Sequence, residues 1–145
     1  MTKPLILAAL LAATAVPAIA RDTPYMLPFA DVLAMPEARE KLDGSVKFFL
    51  AGTKTPKVLA KLGDDVANKK TNGVGKEDIA ACRWAALSAL LAFQEKAKSL
   101  GANAVVDVVS YYKKNTVAKR TEYECHAGGV IVGVALKGSY AKIAK

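Results

Sequence analysis

The alternation of apolar and polar positions divides this chain into a few segments. The clearest is helical. Ile79, Cys82, Ala86, Leu90, Phe93, Ala97 and Leu100 recur at 3.6-residue spacing and form one stripe. The segment is rich in Ala, Leu, Gln, Glu and Lys, all good helix formers. Glu77 and Asp78 place negative charge at its start, Lys96 and Lys98 place positive charge near its end, and Gly101 supplies a stop. Trp84, Leu87 and Leu91 form a second apolar edge away from the stripe, for which cover from the N-terminal segment is expected ahead of a subunit contact.

Ala102 to Val109 continues as a β-branched strand, and Ser45 to Ala51 reads as an earlier one. Gly63 to Lys70 gives a weak strand around Val66, Ala67 and Asn68, with Gly52 to about Lys61 as a loop or short helical turn before it. Thr121 to Leu136 reads as one long final strand. Its Cys125, Ala127, Gly129, Ile131, Gly133 and Ala135 share one face, whose small residues invite a helix to approach. Val130, Val132, Val134 and Leu136 share the other. Pro24, Pro28 and Pro36 break up residues 21–45, leaving an irregular cover with a helical turn at Phe29–Leu33 and a short helix at Pro36–Leu42. The expected fold class is α+β in the order β-β-α-β-β, one mainly antiparallel sheet packed on one long helix behind an irregular, short-helical leader.

The chain has 145 residues, which suits one domain after a leader. Lys3, the apolar run Leu5 to Val16 and the small residues Ala18 and Ala20 predict a signal peptide over residues 1–20, cleaved between Ala20 and Arg21. The apolar run is too short for a stable membrane anchor, so a periplasmic location is expected. The resulting division is 1–20 signal peptide, 21–45 cover and 46–140 α+β domain. The formal net charge is +8, but the bases are scattered and not interleaved with aromatics as single-strand binders require, so nucleic acid is not an expected partner.

Two cysteines, Cys82 and Cys125, allow a single intramolecular pairing, and an oxidising compartment favours a structural disulfide over a metal or redox site. Candidate chemistry is otherwise thin. Cys125 and His126 are strand neighbours and point to opposite faces, a poor nucleophile–base arrangement. Asp107 is the lone acid of its strand, expected on an open face beside a lysine. Asp64-Asp65, in a loop or at a strand entrance, lacks calcium-loop spacing. Tyr111, Tyr112, Tyr123 and Tyr140 are expected at the edge of the core with wet hydroxyls. Gly73-Val74-Gly75 is not a phosphate cradle, because no Gly-Lys-Ser/Thr follows.

The run Ala97-Lys98-Ser99-Leu100-Gly101-Ala102-Asn103-Ala104-Val105-Val106, with a hairpin and a terminal Gly-Val-Ala-Leu strand, resembles the YbjQ-like family of small α+β proteins. That resemblance implies ring-like oligomers and heavy-metal or small-ligand binding. The same element, with a helix cysteine before it and a strand cysteine after it, resembles the RcsF-like envelope-sensor core, whose disulfides tie helix to sheet. Asn68-Lys69-Lys70-Thr71-Asn72, Ala81-Cys82-Arg83-Trp84-Ala85, Ser110 to Asn115 and Glu122 to Ala127 resemble an exported proteobacterial family often labelled "excinuclease ATPase subunit". The residues do not carry that label's chemistry: there is no Walker loop and there are no zinc cysteine pairs.

The expected function is a non-enzymatic periplasmic binding or envelope-sensing module held by one disulfide, with no cofactor. Its expected partner is an envelope protein or a small ligand. The alternatives are an oligomeric YbjQ-like ligand or metal binder, which would be a homo-oligomer, and an envelope enzyme without a recognisable motif.

Overall fold

The structure is a computed structural model and describes residue 15 and residues 19–145. Most of the expected signal peptide therefore lies outside the described residues. The elements in chain order are β1 (Asp22–Pro28), α1 (Phe29–Leu33), α2 (Pro36–Lys41), β2 (Lys47–Leu50), β3 (Val58–Asn72), α3 (Asp78–Leu100), β4 (Ala104–Ser110), a single 3-10 turn at Tyr112–Lys114, β5 (Glu122–Gly128) and β6 (Ile131–Ile143). The α+β class holds, with one long helix packed on a curled sheet. The order is richer than β-β-α-β-β, since the described residues form six strands.

β6 is the spine of the sheet. Antiparallel β3 runs along one of its edges from Val58 to Asn72. The other edge is shared: β5 pairs beside Val132 and Gly133, and β4 pairs from Leu136 to Ala141. β1 extends the sheet beyond β5, and β2 extends it beyond β4 in the one parallel pairing. β2 therefore ends the sheet on its side, with no strand beyond it among the described residues.

Three expectations need correction. The cover segment is not irregular throughout, because Asp22–Pro28 pairs residue for residue with β5. Its prolines are tolerated because β1 is an edge strand, where a missing N–H can face away from the ladder. The weak strand at 63–70 is the middle of a 15-residue strand that begins at Val58, in what reads as loop. The long final strand is two strands turning at Gly129-Val130. That turn changes which face meets the helix. Cys125 and Ala127 face the core as expected, but after the turn it is Val132, Val134 and Leu136 that join the core, and Ile131 is exposed.

α3 lies on the sheet through small residues. Ala81, Ala85, Ala86, Ala89 and Ala97 are buried, and among them sit Cys82, Leu90 and Phe93. Short side chains let helix and sheet approach closely, and Phe93 meets Tyr140 of β6 edge-to-face at 6.0 Å between ring centroids. The ends of the stripe overhang: Ile79 and Leu100 are exposed. Leu87, on the second apolar edge, is fully buried, and α1 packs on α3, bringing Phe29 and Val32 into the core. Trp84 stays exposed. A smaller cluster of Ala104, Val106, Ala141 and Ile143, backed by Phe49 and Val58, fills the far side of the sheet.

Candidate functional site: a basic-rimmed groove beside β2

The two cysteines meet. Cys82 in the first turns of α3 and Cys125 in β5 form a disulfide across the helix–sheet interface, with Cα atoms 5.8 Å apart and both residues wholly buried. No thiol remains to ligate a metal or attack a substrate. Ala20 and Arg21, at the expected cleavage position, lie at one end of the sheet. Arg21 pairs with Asp78 at the start of α3 and donates to the Gly128 carbonyl at 3.1 Å. The Tyr25 hydroxyl donates to the same Asp78 at 2.7 Å. These hydrogen bonds, first from Arg21 and then from Tyr25, hold the Asp78 carboxyl below its ordinary value.

His126 faces away from Cys125, as strand alternation requires, and packs into a polar cluster. Its Nδ1 is 2.8 Å from Asp22 Oδ1, its Nε2 meets Glu124, and the ring of Tyr112 stacks on it at 3.5 Å and 9°. A carboxylate only accepts hydrogen bonds. Each ring nitrogen thus faces an acceptor, and neither is aimed into open space as a base or metal ligand would be. The hydrogen bond from His126, with positive charge nearby on Lys113, holds the Asp22 carboxyl below its ordinary value. Burial, with Asp22 beside it, raises that of Tyr112. Among the described residues no group of three or more His, Cys, Asp or Glu side chains converges as a metal would need. The cluster is a clasp between β1 and β5. Half of it was legible, since Glu124 and His126 stand two apart on one strand face, but Asp22 arrives through a strand that its prolines disguise.

The other singled-out residues are dispersed. Asp107 is exposed at a bulge in β4 with φ +53°, and its carboxylate lies 3.4 Å from Lys61, the expected open-face pairing. Asp64 and Asp65 sit in the middle of β3, not at an entrance, and receive hydroxyls from Ser139 and Tyr140 of β6. Tyr123 and Tyr140 are buried in the core, so their hydroxyls are not wet.

An apolar concavity lies elsewhere, between β2 and the two short helices. Two recesses of about 380 and 280 Å³ adjoin at Leu33, Phe48 and Phe49, and together they make up the groove beside β2. Ala38 of α2 and Leu42 just after it wall the first recess, and Phe29 and Ala30 of α1 wall the second. Adjacent strand residues point to opposite faces. Accordingly Phe48 joins the main core and Phe49 the far-side cluster, and the edge of β2 lies between them. Four cations line the groove: Arg39 and Lys47 in the first recess, Lys54 and Arg120 in the second. No carboxylate lines either. Arg120 is held by donation from Nε to the Gly52 carbonyl at 2.8 Å.

The turn beneath the groove is fixed from inside. Buried Gln94 of α3 accepts from the Asp43 N–H and donates to the Lys41 carbonyl, each at 3.2 Å. Asp43 in turn receives Lys98 Nζ at 2.7 Å and two bonds from Ser45, and these, with Lys98 foremost, hold its carboxyl far below its ordinary value. Sequence reasoning missed this groove. Its signal was the Phe48-Phe49 pair on a short strand beside basic residues, which becomes informative only once β2 is known to be an edge.

The chain matches no protein-family model and no curated protein.

Proposed function

We propose that this chain is a non-enzymatic binding or sensing module of the bacterial periplasm, and that the groove beside β2 is its ligand site. One observation carries the reading: two apolar recesses that adjoin at Leu33, Phe48 and Phe49 have cations as their only charged lining residues. Ligand sites are typically concave and apolar with a few placed polar groups. The groove holds no acid, base or nucleophile pair, so it suits recognition better than turnover. The disulfide supports the compartment, since such bonds persist where thiols oxidise. Among the described residues no helix is long and apolar enough to cross a membrane.

Capture of partners from the native envelope tests this. Leu33 is 39% exposed and lines both recesses, so Leu33→Asp places a negative charge in the groove without disturbing the core. Wild-type protein is expected to retain a ligand or partner that the Leu33→Asp variant loses. Equal recovery by both proteins would sink the groove as the site. Light scattering on the purified protein addresses the oligomeric alternative, since a ring requires a mass several times that of one chain.

A further inference from the structure

Resting on that reading of the groove, we infer that its ligand is an extended polypeptide segment, added as a further strand along the free edge of β2, in which apolar residues alternate with Asp or Glu. The backbone comes first. β2 bonds only to β4. Its odd-numbered positions turn inward: the Lys47 N–H donates to the Asn103 carbonyl at 3.0 Å, and just past the strand the Ala51 N–H donates to the Val108 carbonyl at 2.9 Å. In an extended strand the intervening residue directs its N–H and C=O the opposite way, so Phe48 offers a donor and an acceptor at the open edge. The Leu50 carbonyl is already taken by the N–H and hydroxyl of Thr53, at 3.1 and 2.6 Å, which ends the available ladder there. The free edge is therefore short and has a defined end.

The opposite wall is helical, built from Leu33 of α1 and from Ala38 and Leu42 at α2. A strand edge facing an apolar helix wall is the geometry in which a chain gains main-chain hydrogen bonds on one side and side-chain burial on the other. Two recesses in succession suit residues two apart in an extended chain, because these share a side. Lys47 shares the face of Phe49, opposite Phe48, so the intervening residues of the added strand meet positive charge there. Arg39, Lys47 and Lys54 take part in no ion pair among the described residues, and Arg120 commits only its Nε, leaving the rest of its guanidinium for a carboxylate. Like charges opposed across an interface are strongly disfavoured, so a lysine-bearing segment is rejected at the same rim.

The experiment uses the purified, oxidised protein and three fluorescent peptides of about eight residues: one alternating Leu with Glu, one alternating Leu with Lys, and the Leu/Glu peptide N-methylated at alternate backbone nitrogens. The Leu/Glu peptide is expected to bind about tenfold or more tightly than either control, and to shift the amide resonances of Phe48 and Leu33. Neutralising the net rim charge with Arg39→Glu and Lys54→Glu, both at exposed positions, is expected to abolish the preference for Glu over Lys. Equal binding of the Glu and Lys peptides, or an N-methylated peptide that binds like its parent, overturns the inference. So does a dimer that Leu33→Asp dissociates, which would make the occupant a second copy of this chain. Dodecanoate serves as a separate probe. If it shifts Phe48 and Leu33 while no peptide binds, strand addition fails and the ligand site stands. If neither probe binds and envelope capture is insensitive to Leu33→Asp, both fail.

Discussion

Tyr123 carries a hydroxyl that no group among the described residues receives. The residue is 1% exposed, its oxygen has no hydrogen-bond partner, and burial pushes its phenol well above the usual range. An unsatisfied buried polar group costs about 1–3 kcal/mol. Tyr123→Phe keeps the ring and removes that cost, so thermal unfolding should show no loss, and a gain of up to about this size. Gln94 is the converse: buried to 3% exposure, with both ends of its amide used. Gln94→Leu fits an apolar setting yet strands the Asp43 N–H and the Lys41 carbonyl. It should cost about 1–3 kcal/mol in urea unfolding, and a neutral result would mean water replaces both bonds. The burial of Tyr123 was open to inspection in the sequence, because alternation places it on the face of Cys125 and Ala127. That of Gln94 was not. A polar residue in a helix declares itself buried only when the turn it serves has been located.

At the scale of elements, legibility followed local signals. The bounds of α3 could be read almost to the residue, because helix formers, acids at its start and the Gly101 stop mark its ends. Leu90→Ala should cost about 2–5 kcal/mol, while Lys96→Ala on the exposed face should cost little. Equal melting shifts for the two would contradict the packing. β3 hid because it is mostly solvated on both faces and is held by backbone bonds to β6, which leave no mark on side-chain chemistry. β1 hid behind its prolines. The β5–β6 turn was announced by Gly128-Gly129, a hairpin dipeptide masked by the apolar run around it. The candidate site suffered most, since a groove belongs to two elements at once and to the edge that separates them. The disulfide joins α3 to β5 and was readable from the count of two cysteines and the expectation of export. Cys82→Ala and Cys125→Ala should each remove about 3–4 kcal/mol. The double variant should be no worse than either alone, because both delete one bond. Additive losses in denaturant titrations would refute this.

The whole molecule is stitched by carboxylates that join distant parts. Asp78 ties the start of α3 to Arg21, Asp43 ties the turn after α2 to Lys98 near the end of α3, and Asp22 ties β1 to His126 of β5. All three carboxyls are held below their ordinary value of 3.8. A carboxylate depressed in the folded state contributes stability above its unfolded value and loses it as pH falls through the folded one. Urea unfolding should thus be nearly constant from neutrality to about pH 5 and weaken below about pH 4. Asp43→Asn should show a smaller acid loss than wild type. Because Arg21 and Lys98 are solvated, added salt should shrink their share of the effect. An acid profile unchanged by Asp43→Asn would remove Asp43 from the set. The bond between Cys82 and Cys125 also governs how the chain responds to force. The two residues are 43 positions apart, so tension applied at the termini cannot reach the intervening segment, which includes β4. At about 3.5 Å per residue, roughly 150 Å of contour length stays out of reach. Extension traces of the oxidised protein should fall short by that amount, and a reductant should restore it.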